Sequence, residues 1–433
     1  MAHGSDSPVQ TETDAVHCKL CLSDCPAPET SRLRSCGCVF CTQCLRQYVQ
    51  LAIQDGAGAP ITCPDLACKH PGPLLDSEIA SFAPSDQVEL YRRLKFERGI
   101  SKIPYVPDAS AQQVLCFKHY NASEILLGRK MEDWLRFSVC YWHSFCGTGA
   151  DPFGSPTLCR PWNEGDSDME IAKKRLAAAF EFFTKLGVNY YTFHDRDMAP
   201  EGRTLEESNR NLDEITDVAL ELQKQTGVKV LWITCNLFAH PRYMNGASTN
   251  PDSHVLAYAG AQVKKGLEIA KKLGAENFVF WGGREGFLSI LNTDMAAELK
   301  HMANFFKMAV AYKQKIGLKC QFLIEPKPKE PCKHQYDYDA MSVIGFLKHF
   351  GLDRDFKLNI EPNHTTLAGH SYEHDVIMAS VFGMLGSVDS NTGSPDLGWD
   401  TDQFPMDIRN TTLVMKVTSE MLLSSREAYS LEV

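Results

Sequence analysis

The sequence predicts an α/β protein: a TIM-type (β/α)8 barrel lacking its eighth strand, preceded by a small domain built on two zinc ions. Three observations predict it. Short apolar runs alternate with long amphipathic stretches from about residue 134 onward. Polar and acidic residues stand at the C-terminal ends of those runs. Nine of the 16 cysteines crowd between Cys18 and Cys68.

At 433 residues the chain is too long for one hydrophobic core, so at least two domains are expected. Residues 1–16 are polar with few large apolar groups and read as a disordered tail. The zinc domain then occupies 17–98, and 76–98 within it reads as one or two short helices. A composition shift with two prolines at Gly99–Pro107 marks the boundary, and 99–133 leads into a barrel at 134–433. Its seven strands fall at 135–142, 189–194, 229–235, 277–282, 321–325, 357–361 and 385–389. Helices at 168–186, 207–226, 257–273 and 294–315 separate some of them, so the sheet must be parallel.

Composition excludes several function classes. With 44 basic against 54 acidic residues the net charge is −10, which disfavours nucleic-acid binding because phosphate contacts need a basic stripe. No apolar run is long enough to span a bilayer, so no membrane association is expected. The polar, acidic start at Met1–Val16 has no signal-peptide core, which points to the cytoplasm. Cysteines in that compartment bind metal more readily than they form disulfides.

The cysteine spacing is Cys18-x2-Cys21, Cys36-x-Cys38-x2-Cys41-x2-Cys44 and Cys63-x4-Cys68. Eight thiolates suffice for two closed tetrahedral zinc sites. A segment this short buries too little apolar surface to fold alone, so metal binding must supply the folding free energy. Cys25 is the ninth cysteine and is expected to be a bystander.

The pieces CKLCL, CGCVFCTQCLRQYV and CPDLAC resemble the first RING finger of RING-between-RING ubiquitin ligases, over about residues 17–98. That resemblance implies interleaved ligands: Cys18, Cys21, Cys41 and Cys44 on one zinc, and Cys36, Cys38, Cys63 and Cys68 on the other. It further implies a ubiquitin-conjugating enzyme as partner, met by Leu20 and Pro64, with Lys69 helping to hold ubiquitin. The later cysteine modules of those ligases have no counterpart after Cys68, so their thioester step does not carry over.

In the barrel, Glu325, Glu361 and Asp389 each end a strand, His364 follows Glu361 by three residues, and Asp400 and Asp402 come next. Carboxylates gathered with a single imidazole suit hard divalent ions such as Mg²⁺ or Mn²⁺, with Co²⁺ a further candidate. Such charges could not meet at one barrel mouth without cations. By residue type, Asp195 and Arg196 read as structural, Glu330 as exposed, and Asp337 and Asp339 as caps of the following helix.

The motifs WHSFCGTGADPFG, YTFHDRDMAPEG, NFVFWGGREG, FLIEPKPKEPCKHQYDYD, KLNIEPNHTTLAGHSYEHD and GWDTDQFP resemble the longer-chain class of xylose isomerases, from about Ile103 to Glu420. The resemblance implies conversion of D-xylose to D-xylulose by a two-metal 1,2-hydride shift, with pentose or hexose sugars as substrates. It assigns Glu325, Glu361 and Asp389 to one metal and Glu361, His364, Asp400 and Asp402 to the other. His194 would assist ring opening, oriented by Asp197, and Lys327 would stabilise charge on the sugar's O1. Trp142, Trp232, Thr234, Trp281 and Phe153 would line the pocket. Phe153 would reach a neighbouring subunit, so a homo-oligomer is implied. The family continues with an eighth strand and an Asn-Phe-Asp-Ala-Lys motif that this sequence lacks. Ile233 and Cys235 stand where it has small residues. The alternative is a ubiquitin-ligase-like or adaptor protein carrying an inactive barrel.

Overall fold

A computed structural model describes residues 15–54, 60–99, 102–150, 154–165, 167–394, 396–424 and 430–432. The chain divides into two compact units, Met1–Ser101 with Gln113–Leu115, and Lys102–Gln112 with Cys116–Val433.

In the first unit, two short antiparallel pairs, Ala15–Cys18 with Ser23–Pro26 and Thr30–Arg32 with Val39–Cys41, precede the helix Thr42–Gln54. Leu45, Val49 and Ile53 recur along one face of that helix and are buried. They join Leu33, Phe40, Ile61, Leu74, Ile79 and Phe82 in a small core. The expected helical stretch at 76–98 forms two helices, Asp76–Phe82 and Ser85–Gly99.

The second unit is a curled parallel sheet. Its strands are β1 (Phe137–Cys140), β2 (Tyr190–His194), β3 (Lys229–Thr234), β4 (Asn277–Trp281), β5 (Gln321–Glu325), β6 (Phe356–Ile360) and β7 (Leu385–Asp389). Each pairs in parallel with the next in sequence. All seven fall inside or within one residue of the expected runs. The sequence leaves the outer edges of β1 and β7 open. In the structure the three-residue strand β8 (Ser430–Glu432) pairs with both and closes the ring. Backbone hydrogen bonds make that closure, so Ser-Leu-Glu needs no apolar run and leaves no signal for a pattern search.

Helices α1 (Asp168–Leu186), α2 (Leu205–Thr226), α3 (Ser253–Leu273), α4 (Met295–Ile316), α5 (Ala340–Phe350), α6 (His374–Val381) and α7 (Ile408–Ser424) follow the strands. Their starts are written in the sequence: Ser167, Thr204, Asp252, Asp294 and Asp339 each accept a backbone N–H of the first turn. Asp339 is thus a cap, as its position suggests, and Asp337 is not. The main core lies between sheet and helices, and Leu231, Trp232, Val279 and Leu323 form a separate cluster.

Cys235, at a position flagged as unusually large, is accommodated by Gly266 of α3. A Cβ there would come within 2.5 Å of the Cys235 sulfur. Phe322 is fully buried and packs its ring against Phe278, Phe280 and Phe356. Phe322→Ala should cost about 3–5 kcal/mol, read by denaturant unfolding of the full chain. No helix among the described residues is long and apolar enough to cross a membrane.

Candidate active site

The C-terminal ends of the strands converge on a cavity of about 380 Å³. His194 closes β2, Thr234 closes β3, Trp281 closes β4, Glu325 closes β5, Glu361 follows β6, and Asp389 closes β7. The hairpin Thr392–Ser394 with Trp399–Gln403 brings Asp400 and Asp402 over the same mouth. Trp142, Trp232, Lys327 and His364 complete the lining among the expected residues. Asp197 stands behind His194. Phe153 lies outside the described residues.

Two donor clusters meet at Glu361. Glu325, Glu361 and His364 offer ligand atoms within 4.8 Å of one another, and so do Glu361, Asp400 and Asp402. Asp389 lines the cavity but belongs to neither cluster. His364 Nε2 lies 3.1 Å from Glu361 Oε1 and 3.2 Å from Asp400 Oδ2, while its Nδ1 faces the Pro326 carbonyl at 3.0 Å. That carbonyl can only accept, so Nδ1 carries a proton, and Nε2 is the ring atom turned to the carboxylates, placed to ligate a cation set among them. Burial, and then the charges of Asp402, Asp389, Asp400 and Glu325, push the Glu361 carboxyl well above its ordinary range. So concentrated a set of buried acids calls for cations. Oxygen donors with one imidazole fit hard divalent ions.

Lys327 and Asp400 neutralise each other in part, Nζ to Oδ2 at 2.5 Å. Burial works against the Lys327 ammonium, but Asp400 and Glu361 outweigh it and hold its pKa above the usual lysine value. Burial likewise works against the Asp400 carboxylate, and His364 and Lys327 win, driving it well below the carboxylate range. Glu330, expected to be exposed, is half-buried with its carboxylate 3.9 Å from Lys327.

His194 Nδ1 lies 2.6 Å from Asp197 Oδ2. The carboxylate accepts, so the proton sits on Nδ1 and Nε2 stays free to act as a base. Burial lowers the His194 pKa, but Asp197 more than compensates and the net shift is upward. Trp142 meets His194 edge-on at 4.8 Å and lies 5.3 Å from Trp232. Phe238 packs edge-on against His194 at 5.5 Å and Trp281 at 4.4 Å, making a continuous aromatic wall. Trp142 opens a π-helical turn, Trp142–Cys146, a backbone form concentrated at functional sites.

Comparison with known proteins decides the family. The chain is 54% identical over 321 residues to xylose isomerase of Hordeum vulgare, covering 74% of this chain and 67% of that one. It is 55% identical over 322 residues to that of Caldicellulosiruptor bescii, covering 74% and 73%. With the enzyme of Rhodopirellula baltica it shares 58% over 301 residues, covering 70% and 69%. The chain belongs to the xylose isomerase family. No family model matches it. Among solved structures, a D-allulose 3-epimerase from Methylomonas sp. superposes with a TM-score of 0.46 at 11% identity, covering 69% of this chain and 83% of that one.

Residue-type reasoning overlooked several groups that this xylose isomerase fold brings to the site. Asn391 donates to Glu361 Oε1 at 2.7 Å and to Asp402 Oδ1 at 2.8 Å. Asn359 donates to Glu325 Oε2 at 2.8 Å, and Asn363 donates to Asp400. His143 Nε2 lies 2.8 Å from Asp402 Oδ2. Asn359 and Asn363 each sit two residues from Glu361 in the strand-end motif, a signal that could have found them. Asn391 stands as close to Asp389, but its contacts with Glu361 and Asp402, like that of His143 with Asp402, come from tertiary packing alone.

In the first unit the cysteines gather as two groups able to hold a metal, Cys18, Cys21, Cys41 and Cys44, and Cys36, Cys38, Cys63 and Cys68. Cys18 Sγ accepts the Cys41 N–H at 3.3 Å, and Cys41 Sγ accepts that of Cys44 at 3.3 Å. Burial works against the Cys18 thiolate, yet backbone N–H groups at Cys21 and Cys41 outweigh it and bring its pKa down to about 6.

Proposed function

We propose that the chain is a metal-dependent aldose–ketose isomerase that converts D-xylose to D-xylulose. The observation that carries this reading is the pair of carboxylate clusters sharing Glu361 beneath an aromatic wall. By the family resemblance Glu325, Glu361 and Asp389 would hold one divalent ion and Glu361, His364, Asp400 and Asp402 the other; His364 stands between the two clusters, grouped with Glu325 and 3.2 Å from Asp400, and Asp389 lines the cavity beside them. Bound there, such ions supply Lewis-acid polarisation of neighbouring sugar oxygens.

The chain's own residues do the rest. His194, with Nε2 free, takes a proton from the ring-form hydroxyl and returns it to the ring oxygen, giving the open aldehyde. Trp142, Trp232 and Phe238 keep water from the carbon chain while hydride passes from C2 to C1. The proton leaving the C2 hydroxyl ends on O1, so aldose and ketose balance as isomers. Lys327, held charged by Asp400, faces the charge that develops on O1. Thr234 and Trp281 complete the pocket.

Conversion of D-xylose by the purified full chain with Mn²⁺ or Mg²⁺, and its loss in EDTA, tests the reading. No conversion by a folded, metal-loaded chain would overturn it. Asn391→Leu should weaken Mn²⁺ binding by about 10–100-fold in calorimetric titration, because two ligand carboxylates lose their orienting donor.

For the first unit we infer two structural zinc ions on the interleaved cysteine groups. A RING-type surface for a ubiquitin-conjugating enzyme is the second reading, favoured by that interleaving and by the exposed Leu20, Leu22 and Leu66. Pro64 would join that surface and Lys69 would contact ubiquitin. Unchanged autoubiquitination in Lys69→Ala would remove the lysine's role. A homo-oligomer is proposed for the barrel, whose exposed Leu397, Phe404, Met406 and Ile408 offer apolar area to a second copy.

A further inference from the structure

Behind the sugar pocket lies a buried acid that the proposed chemistry does not use. Asp337 is 2% exposed. Its backbone carbonyl accepts the N–H of Lys327 at 2.9 Å. Its carboxyl group is pressed against the backbone of Gly282, the residue after Trp281. The approach is close enough that a Cβ on Gly282 would sit 2.5 Å from Asp337 Oδ2, so only glycine fits there. One residue therefore grips the chain beside two pocket groups on neighbouring strand ends. Those two groups also meet each other, Lys327 Nζ lying 5.3 Å from the Trp281 ring centre.

We propose that Asp337 is a positioning residue of the sugar pocket, holding Trp281 and Lys327 in register from behind the wall. The inference rests on the isomerase reading for its consequence in catalysis, though not for its geometry. A hollow of about 30 Å³, lined by Thr234, Trp281, Gly282, Glu285 and Asp337, leaves slack beside the indole, so the wall alone does not fix its place.

The group acts as an uncharged acid. Oδ1 is buried and has no hydrogen-bond partner among the described residues. Burial pushes the carboxyl well above its ordinary range, and the nearby carboxylates of Glu285 and Glu325 push it the same way. The ammonium that could have countered this, on Lys327, is turned to Asp400 instead. A neutral side chain of the same shape should therefore serve almost as well, and an apolar one should not.

The test compares Asp337→Asn and Asp337→Leu in the full metal-loaded chain. Asp337→Leu should lower kcat/KM for D-xylose on the order of 10²-fold, with KM raised and kcat reduced together. Asp337→Asn should recover most of that loss and leave the pH profile in place. A second readout is the near-ultraviolet circular dichroism of Trp281, assigned by difference with Trp281→Phe. It should change in the leucine variant and return in the asparagine variant. A leucine variant with unaltered Trp281 dichroism would overturn the positioning role, and an asparagine variant as damaged as leucine would overturn the uncharged state. The dichroism does not depend on turnover. An inactive wild-type chain would thus count against the isomerase reading while this comparison still decides the role of Asp337.

Discussion

Glu361→Gln should abolish isomerisation, lowering turnover on the order of 10³-fold or more. Glu361 is the one residue common to both donor clusters, so its loss strikes two sites at once. The substitution removes a negative charge and one oxygen donor while keeping the shape of the side chain. It also relieves the repulsion from Asp389, Asp400, Asp402 and Glu325, so the fold itself should tolerate it and even gain stability without metal. Two measurements separate the effects. Mn²⁺ titration should show both ions weakened, and thermal unfolding in EDTA should show a midpoint at or above that of the unaltered chain. Retained turnover would mean that the reacting atoms lie elsewhere in the cavity.

The second large effect concerns the cysteine unit. Cys41→Ser together with Cys44→Ser should release one zinc per chain and unfold the first unit. Structural zinc contributes about 10–16 kcal/mol of apparent binding free energy in small domains, well beyond the few kcal/mol that so small a core supplies. Sequence order makes the damage general. Cys36 and Cys38 lie between Cys21 and Cys41, and Cys41 and Cys44 lie between Cys38 and Cys63. Freeing one group therefore loosens the segment that presents the other. Metal analysis with limited proteolysis of the full chain checks this. New cleavage between Val16 and Arg98, with the barrel segment intact, is the expected pattern. Full protection after complete zinc loss would show that Phe40, Leu45, Val49 and their neighbours suffice without metal.

The barrel strands were legible as short apolar runs, most with a polar residue at or just after the end, as in Gln321–Glu325 and Leu385–Asp389. The helices were legible as the long amphipathic stretches between the strands, though two begin earlier than expected, at the caps Thr204 and Asp252. The carboxylates and His364 stood out because buried acids at successive strand ends have few other uses. What escaped notice is held by tertiary contact. Asn391 becomes significant only when the Thr392–Ser394 hairpin folds Asp402 back over Glu361. Asp337 reads as a helix cap until the backbone at Gly282 is brought against it. Ser430–Glu432 closes the ring through peptide groups that every sequence possesses.

The order of the strands has a consequence for how the chain reaches this state. From β1 to β7 every pairing joins a strand to the one made just before it, as when Ser138–Cys140 meets Tyr190–Thr192 about 50 residues on. The final pairing, Phe137 with Leu431, spans about 300 residues. Relative to its predecessors that step carries an added loop-closure cost of about 1.5 kcal/mol. Sheet growth can therefore keep pace with synthesis, while ring closure waits for a late and slow search. Until then β1 presents a bare edge to any extended segment it meets, and crowding during production would favour aggregation over closure.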